Sequence, residues 1–125
     1  MRRAIFGACL AALAVKLFVF EPFVADGNSM EPTIRNGGIL LVNKIRYGIR
    51  MPGSSGYLIR WGAPRYGDVV VFRNPSGTMA VKRSLGTEGD GTVTVRGDNP
   101  LSSYDSRSYG PIPADTVIGK VLGVR

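Results

Sequence analysis

DVVVFRNP, residues 68–75, is the stretch that decides how this chain folds. Three consecutive valines and a phenylalanine favour an extended backbone, because β-branched and aromatic side chains pack well on a pleated surface. Asn-Pro ends the run, since proline has no N–H to continue a ladder. Similar text lies on either side. Residues 37–48, GGILLVNKIRYG, form an apolar-rich run opened by two glycines and closed at Tyr47-Gly48. TMAVKRSLG (78–86), GTVTVRGD (91–98) and TVIGKVLGVR (116–125) read as three further short strands. Residues 49–67 carry Gly, Ser and Pro at turn density and read as a loop with one short strand at 57–61. Seventeen glycines and eight prolines imply many turns, and no 3.6-residue period survives beyond residue 20. The expected fold class is mostly β, a curled, barrel-like antiparallel sheet over residues 21–125. No internal repeat or interior linker divides it.

The N-terminus differs. Arg2 and Arg3 precede an apolar run over residues 4–15, Lys16 interrupts it, and residues 17–20 resume it. Twelve helical residues cover about 18 Å, against a hydrocarbon core of ~30 Å. Counting through Phe20 gives about 26 Å if Lys16 snorkels its amine to the interface. The expectation is one transmembrane helix over residues 1–20, with the arginines holding the N-terminus in the cytoplasm and the β-rich part on the extracytoplasmic face. A cleaved signal peptide and an interfacial segment are the alternatives.

A formal charge of +7 would suit nucleic acid or an anionic membrane surface. The basic residues are scattered, with no dense run and no aromatic interleaving, so a lipid bilayer is the expected partner and nucleic acid is not. Cys9 is alone, which excludes an intramolecular disulfide. There is no histidine, which excludes Ser-His-Asp and Cys-His catalysis and removes the commonest zinc ligand. No metal or cofactor is expected.

GNSMEPTI, residues 27–34, puts an isolated serine, Ser29, at a turn. Without histidine, a nucleophilic serine needs a lysine, a carboxylate or an N-terminal amine as its base. An exposed lysine titrates near 10.4 and is almost wholly protonated at neutral pH, so a lysine base must be desolvated. Lys82 sits in apolar text after Met79, Ala80 and Val81, which makes it the best candidate. The plain alternatives are a turn serine and a strand lysine facing water.

Four segments in order resemble the type I signal peptidase family, whose members use a Ser/Lys dyad. FEPFVADGNSMEPTI (20–34) is similar to the family's nucleophile segment and carries that role onto Ser29. RYGDVVVFRNP (65–75) resembles its Gly-Asp-apolar-Phe strand, and AVKRSLG (80–86) carries the general base onto Lys82. GDNPLSSYDSRSYGPIP (97–113) resembles the block that supports the lysine. The resemblance implies that Ser103 orients the amine and that Asp105 and Arg107 brace the site as an ion pair, with Ser106 between them. It implies an oxyanion hole at Ser29, Gly27 and Asn28; glycine stands at position 27 where some members place a serine hydroxyl. It also implies that Phe23, Ala25, Met30 and Val81 line substrate pockets, with a peptide added as a strand beside residues 23–26. Asp98 and Asn99 of the same block read adequately as turn formers. The segment between Lys82 and Gly97 is shorter than is usual in the family.

The function so implied is a membrane-bound serine endopeptidase that removes N-terminal signal peptides from exported precursor proteins. A dedicated pilin-maturing peptidase and a catalytically silent, membrane-tethered peptide-binding domain are the alternatives.

Overall fold

The computed structural model describes residues 1–50 and 56–124. Helix α1 (Arg2–Val19) opens the chain, and Phe20 at its end already has extended backbone angles, so helix passes directly into strand. The strands are β1 (Phe20–Val24), β2 (Ile39–Asn43), β3 (Gly48–Arg50), β4 (Tyr57–Arg60), β5 (Val69–Arg73), β6 (Met79–Thr87), β7 (Thr92–Arg96), β8 (Ile112–Pro113) and β9 (Val117–Val124). A short helix α2 (Ser106–Tyr109) precedes β8.

Seven strands form one antiparallel sheet in the order β1-β2-β9-β5-β6-β7-β8, and β3 pairs with β4 separately. Register shifts at Leu41/Val42, Val71/Phe72 and Ser84/Thr87 break the ladders. Such bulges sharpen the local twist and curl the sheet into an open half-barrel. The expected curled antiparallel fold is therefore present. It remains open, because β1 and β8 stand at the two edges.

The three valines of DVVVFRNP explain why that stretch is decisive. Val70 and Phe72 belong to one apolar cluster with Tyr47, Val93, Val95, Ile112 and Val117. Val71 belongs to a second, with Ala25, Met30, Ile34, Leu40 and Val42. Central strand β5 is thus buried on both faces, which is why it reads as a continuous apolar run rather than an alternating one. The second cluster matters for the site. It draws Met30 and Ile34 of the loop between β1 and β2 down onto the sheet, and Ser29 with them.

Two expectations need correction. The N-terminal helix forms, but no helix among the described residues is long and apolar enough to cross a membrane. Its eighteen residues include Arg2, Arg3 and Lys16, and Phe20, counted at sequence level as anchor, is the first residue of β1 and pairs with Asn43. The region after Tyr47 also contains more strand than expected, since Gly48–Arg50 pairs with Tyr57–Arg60 as a small hairpin. The expected turn at residues 51–55 lies outside the described residues.

Candidate active site

Ser29 lies five residues beyond β1, in a loop whose conformation is fixed at both ends. Gly27 adopts a positive φ of 95°, a region L side chains rarely enter, which turns the chain out of the strand direction. Its N–H donates to Asn36 Oδ1 at 3.0 Å, so the loop closes on itself. On the far side Ile34 N–H donates to Met30 O at 2.9 Å, and the Glu31-Pro32 peptide is cis. Met30 and Ile34 are buried.

Lys82 lies in β6, paired with Val70 of β5. It is only 6% exposed, and its Nζ is 2.7 Å from Ser29 Oγ, hydrogen-bonding distance. Burial pushes the Lys82 ammonium below the ordinary lysine value, and the Asp105 carboxylate partly opposes that shift. An amine so placed can be neutral when the hydroxyl needs a base, and carboxylate charge nearby then eases its protonation.

Asp105 is fully buried and is the hub of the supporting block. It accepts from Gly97 N–H at 2.9 Å, Ser103 Oγ at 2.7 Å and Arg107 N–H at 3.0 Å. The Arg107 guanidinium adds Nε at 3.0 Å and Nη2 at 2.8 Å, a bidentate pair. Burial alone would raise the carboxyl, but the bonds from Arg107, Ser103 and Gly97 prevail and hold it well below the usual carboxylate range. Ser106 Oγ accepts from Val95 N–H at 2.8 Å and ties α2 to β7. Ser103 departs from the role carried over by resemblance. Its hydroxyl donates to Asp105, and no hydrogen bond joins it to Lys82 among the described residues.

Of the three residues expected to supply oxyanion donors, Gly27 has its N–H engaged by Asn36. The N–H groups of Asn28 and Ser29 have no partner among the described residues, which leaves those two free to meet a developing negative charge.

A cavity of about 230 Å³ opens onto the pair, lined by Phe23, Ala25, Met30 and Val81 as expected, and by Ser29 and Lys82 themselves. Asp26, within the strand expected to pair with a peptide, also lines it, as do Asn74, Met79 and Tyr104, which were not read from the sequence as lining residues. Tyr104 is held edge-on against Tyr109, with ring centroids 4.9 Å apart.

The bonds made by residues 98–102 were not read from the sequence, where Asp98 and Asn99 read adequately as turn formers. Asn99 N–H donates to Ser29 O at 2.8 Å and Asn99 Nδ2 to Asn28 O at 3.1 Å. Ser102 Oγ donates to Asn28 Oδ1 at 2.6 Å. Asp98 accepts two bonds from Arg83, at 2.9 and 2.8 Å, and one from Thr33 Oγ1 at 2.6 Å. This segment clasps the serine loop against β6. The resemblance of residues 97–113 assigned these positions no contact with the serine loop, and turn formation explained Asp98 and Asn99 equally well.

Fold and site together define a class: sheet proteins without histidine in which a serine hydroxyl meets a buried lysine amine at the head of an apolar groove. The sequence matches the family described as "Signal peptidase, peptidase S26" over residues 1–96 and 90–124, and the chain belongs to that family. It is 36% identical to signal peptidase I of Pseudomonas aeruginosa, over 97% of this chain and 41% of that protein. It is 40% identical to signal peptidase I of Pseudomonas fluorescens, over 97% of this chain and 40% of that protein. Mitochondrial inner membrane protease subunit 1 of Xenopus tropicalis is 30% identical over 90% of this chain and 72% of its own length. The chain thus spans about two-fifths of the length of the two Pseudomonas relatives.

Proposed function

We propose that this chain is a serine endopeptidase that removes N-terminal signal peptides from exported precursor proteins, with Ser29 as nucleophile and Lys82 as general base. The observation that carries the proposal is the buried Lys82 amine 2.7 Å from Ser29 Oγ, at the head of an apolar groove. Relatives named signal peptidase I supply the substrate class.

In this reading an extended peptide lies along Phe23 and Ala25, and its small side chains fill the groove with Met30 and Val81. Neutral Lys82 takes the Ser29 proton as Oγ attacks the scissile carbonyl. The oxyanion is held by the N–H groups of Asn28 and Ser29. The Lys82 ammonium, steadied by Asp105, then protonates the leaving amine. A water deprotonated by the same amine attacks the acyl-enzyme, and the carboxylate product leaves with Ser29 restored.

On the same reading α1 seats in lipid, with residues 4–15 among acyl chains and Arg2, Arg3 and Lys16 at phosphate depth. The peptidase domain, from residue 21 onward, then stands on the extracytoplasmic face. Only eight residues separate Phe20 from Ser29, which reach at most about 30 Å, so the serine stays near the surface where a signal sequence emerges.

The test is cleavage of a signal-bearing precursor by the purified protein in detergent. Wild type should release the signal peptide; Ser29→Ala and Lys82→Ala should each lose at least about a thousandfold in kcat/KM with the fold intact, as removal of a dyad member does. Full activity in Lys82→Ala would refute the assignment. Binding without any cleavage by wild type would identify a peptide-binding domain instead.

A further inference from the structure

We propose that Asp26 selects substrates that carry lysine or arginine at the second residue before the scissile bond. The inference rests on the endopeptidase reading and deepens it, since it adds a charge requirement to a groove otherwise suited to small apolar side chains.

Side chains alternate in direction along a strand. Along β1 and its extension, Phe23 is half-buried, Val24 is 69% exposed, Ala25 is buried and Asp26 is exposed. Phe23 and Ala25 therefore face the groove floor, and Val24 and Asp26 the open side. A peptide added as a strand alternates in the same way. When its first and third residues before the cut enter the groove, the residue between them projects to the open side, on the face that Asp26 occupies.

Charge singles out the same residue. Seven of the nine Asp and Glu side chains take part in a hydrogen bond or ion pair; those of Asp26 and Glu88 do not, among the described residues. Glu88 lies in the turn between β6 and β7, far along the chain from the serine loop. Among the described residues, Asp26 is the one acidic residue lining the groove, three positions before Ser29. Nor is it spent on the lysine. The carboxylate that acts on Lys82 is that of Asp105. Asp26 is thus an exposed, uncompensated carboxylate at the mouth of a substrate groove, in a chain of net charge +7. A basic substrate side chain of four or five atoms' reach gains a partner there without losing water at its head group.

Exposed ion pairs are weak, so the effect is one of selectivity rather than of gross affinity. Attraction for lysine and repulsion of glutamate combine to about a three- to tenfold difference.

The experiment uses peptides that differ only at the second residue before the cut, as Lys, Arg, Ala or Glu. Cleavage is followed with the wild-type chain and affinity with the Ser29→Ala chain, which holds a peptide without cutting it. Lys and Arg peptides should exceed the Glu peptide about three- to tenfold in both kcat/KM and affinity, and the gap should narrow at high salt. Asp26→Asn should abolish the preference, Asp26→Glu should keep it, and Glu88→Gln should leave it unchanged. Equal treatment of the Lys and Glu peptides by wild type, or a preference that survives Asp26→Asn, would overturn the inference. If wild type cuts none of the peptides, the endopeptidase reading fails, and the Ser29→Ala affinities still decide whether Asp26 reads charge.

Discussion

Lys82 sits under two opposed influences, whose balance sets its protonation and, on the proposed mechanism, its action as a base. Burial favours its neutral form; the Asp105 carboxylate favours the charged one. If the neutral amine is the base, kcat/KM must rise with pH as Lys82 loses its proton, along a limb below the ordinary lysine value of about 10.4. A limb at 10.4 would show that no desolvated amine takes part. The same burial is a cost to folding at neutral pH, where the unfolded chain holds its lysine protonated. Between the depressed native value and the ordinary one the unfolded state binds more protons, so stability rises with pH across that window. Lys82→Met removes the cost and keeps the volume. It should raise Tm by a few degrees at pH 7 while abolishing cleavage, and the advantage over wild type should shrink as pH approaches 10.5. Thermal melts at pH 7 and pH 10 check this; an advantage that does not change with pH would mean the lysine is solvated. Asp105 acts at the other end of the scale. Its native carboxyl is depressed, so its stabilising contribution is complete above the unfolded value near 4 and is lost as pH falls below it.

At the scale of elements, the sheet was legible in the sequence and the clasp on the serine was not. Five expected strands appear as β2, β5, β6, β7 and β9, and the short strand at 57–61 appears as β4, because apolar runs bounded by Gly and Pro have few other ways to bury themselves. β8 has two residues and β3 three, too few for any period to register. Phe20–Val24 was read in part as anchor because its apolar residues continue those of the helix; only pairing with β2 distinguishes it. Ser29 and Lys82 were singled out by residue type, apolar context and the family resemblance, and the fold brings their side chains to 2.7 Å. The bonds from Asn99 and Ser102 were not legible, because they depend on how loops meet across the sheet. Gly97 tests how tightly that meeting is made. A Cβ there would strike the Ser103 side chain and the Ser29 carbonyl, and Gly97 N–H already serves Asp105. Gly97→Ala should cost about 1–3 kcal/mol of stability and, if Ser29 is the nucleophile, lower kcat more than it raises KM, because it displaces the Ser29 loop itself. Gly89→Ala meets nothing within 4 Å and should stay within about 0.5 kcal/mol of wild type. Equilibrium denaturation and steady-state kinetics on the two variants separate these outcomes.

For the whole molecule, exposed apolar side chains occur along α1 and again on β1 and β2. Ile5, Phe6, Leu10, Leu13 and Phe18 are each more than half exposed on the helix, where no core of the chain covers them. Helix continues directly into β1, where exposed Val24 pairs with exposed Ile39 and Pro22 with exposed Leu41. Large apolar surface left exposed is uncommon on a monomer and marks an interaction face. The charges are placed to suit a bilayer as that partner, with Arg2 and Arg3 at one end of α1 and Lys16 thirteen residues further on, about 20 Å along the axis. Those side chains can reach phosphate while the stretch between them stays among acyl chains. The full chain should therefore sediment with anionic vesicles and resist release by salt, since apolar contact rather than charge dominates its hold. An aspartate at the centre of the apolar stretch costs about 2–3 kcal/mol to place in lipid, so Leu10→Asp or Leu13→Asp should each weaken vesicle binding by at least tenfold. Neither leucine contributes to either buried cluster, so Tm in detergent-free buffer should hold or rise. If both variants sediment as wild type does, α1 is not the element that meets lipid. Any lipid contact would then have to come from the exposed face of β1 and β2.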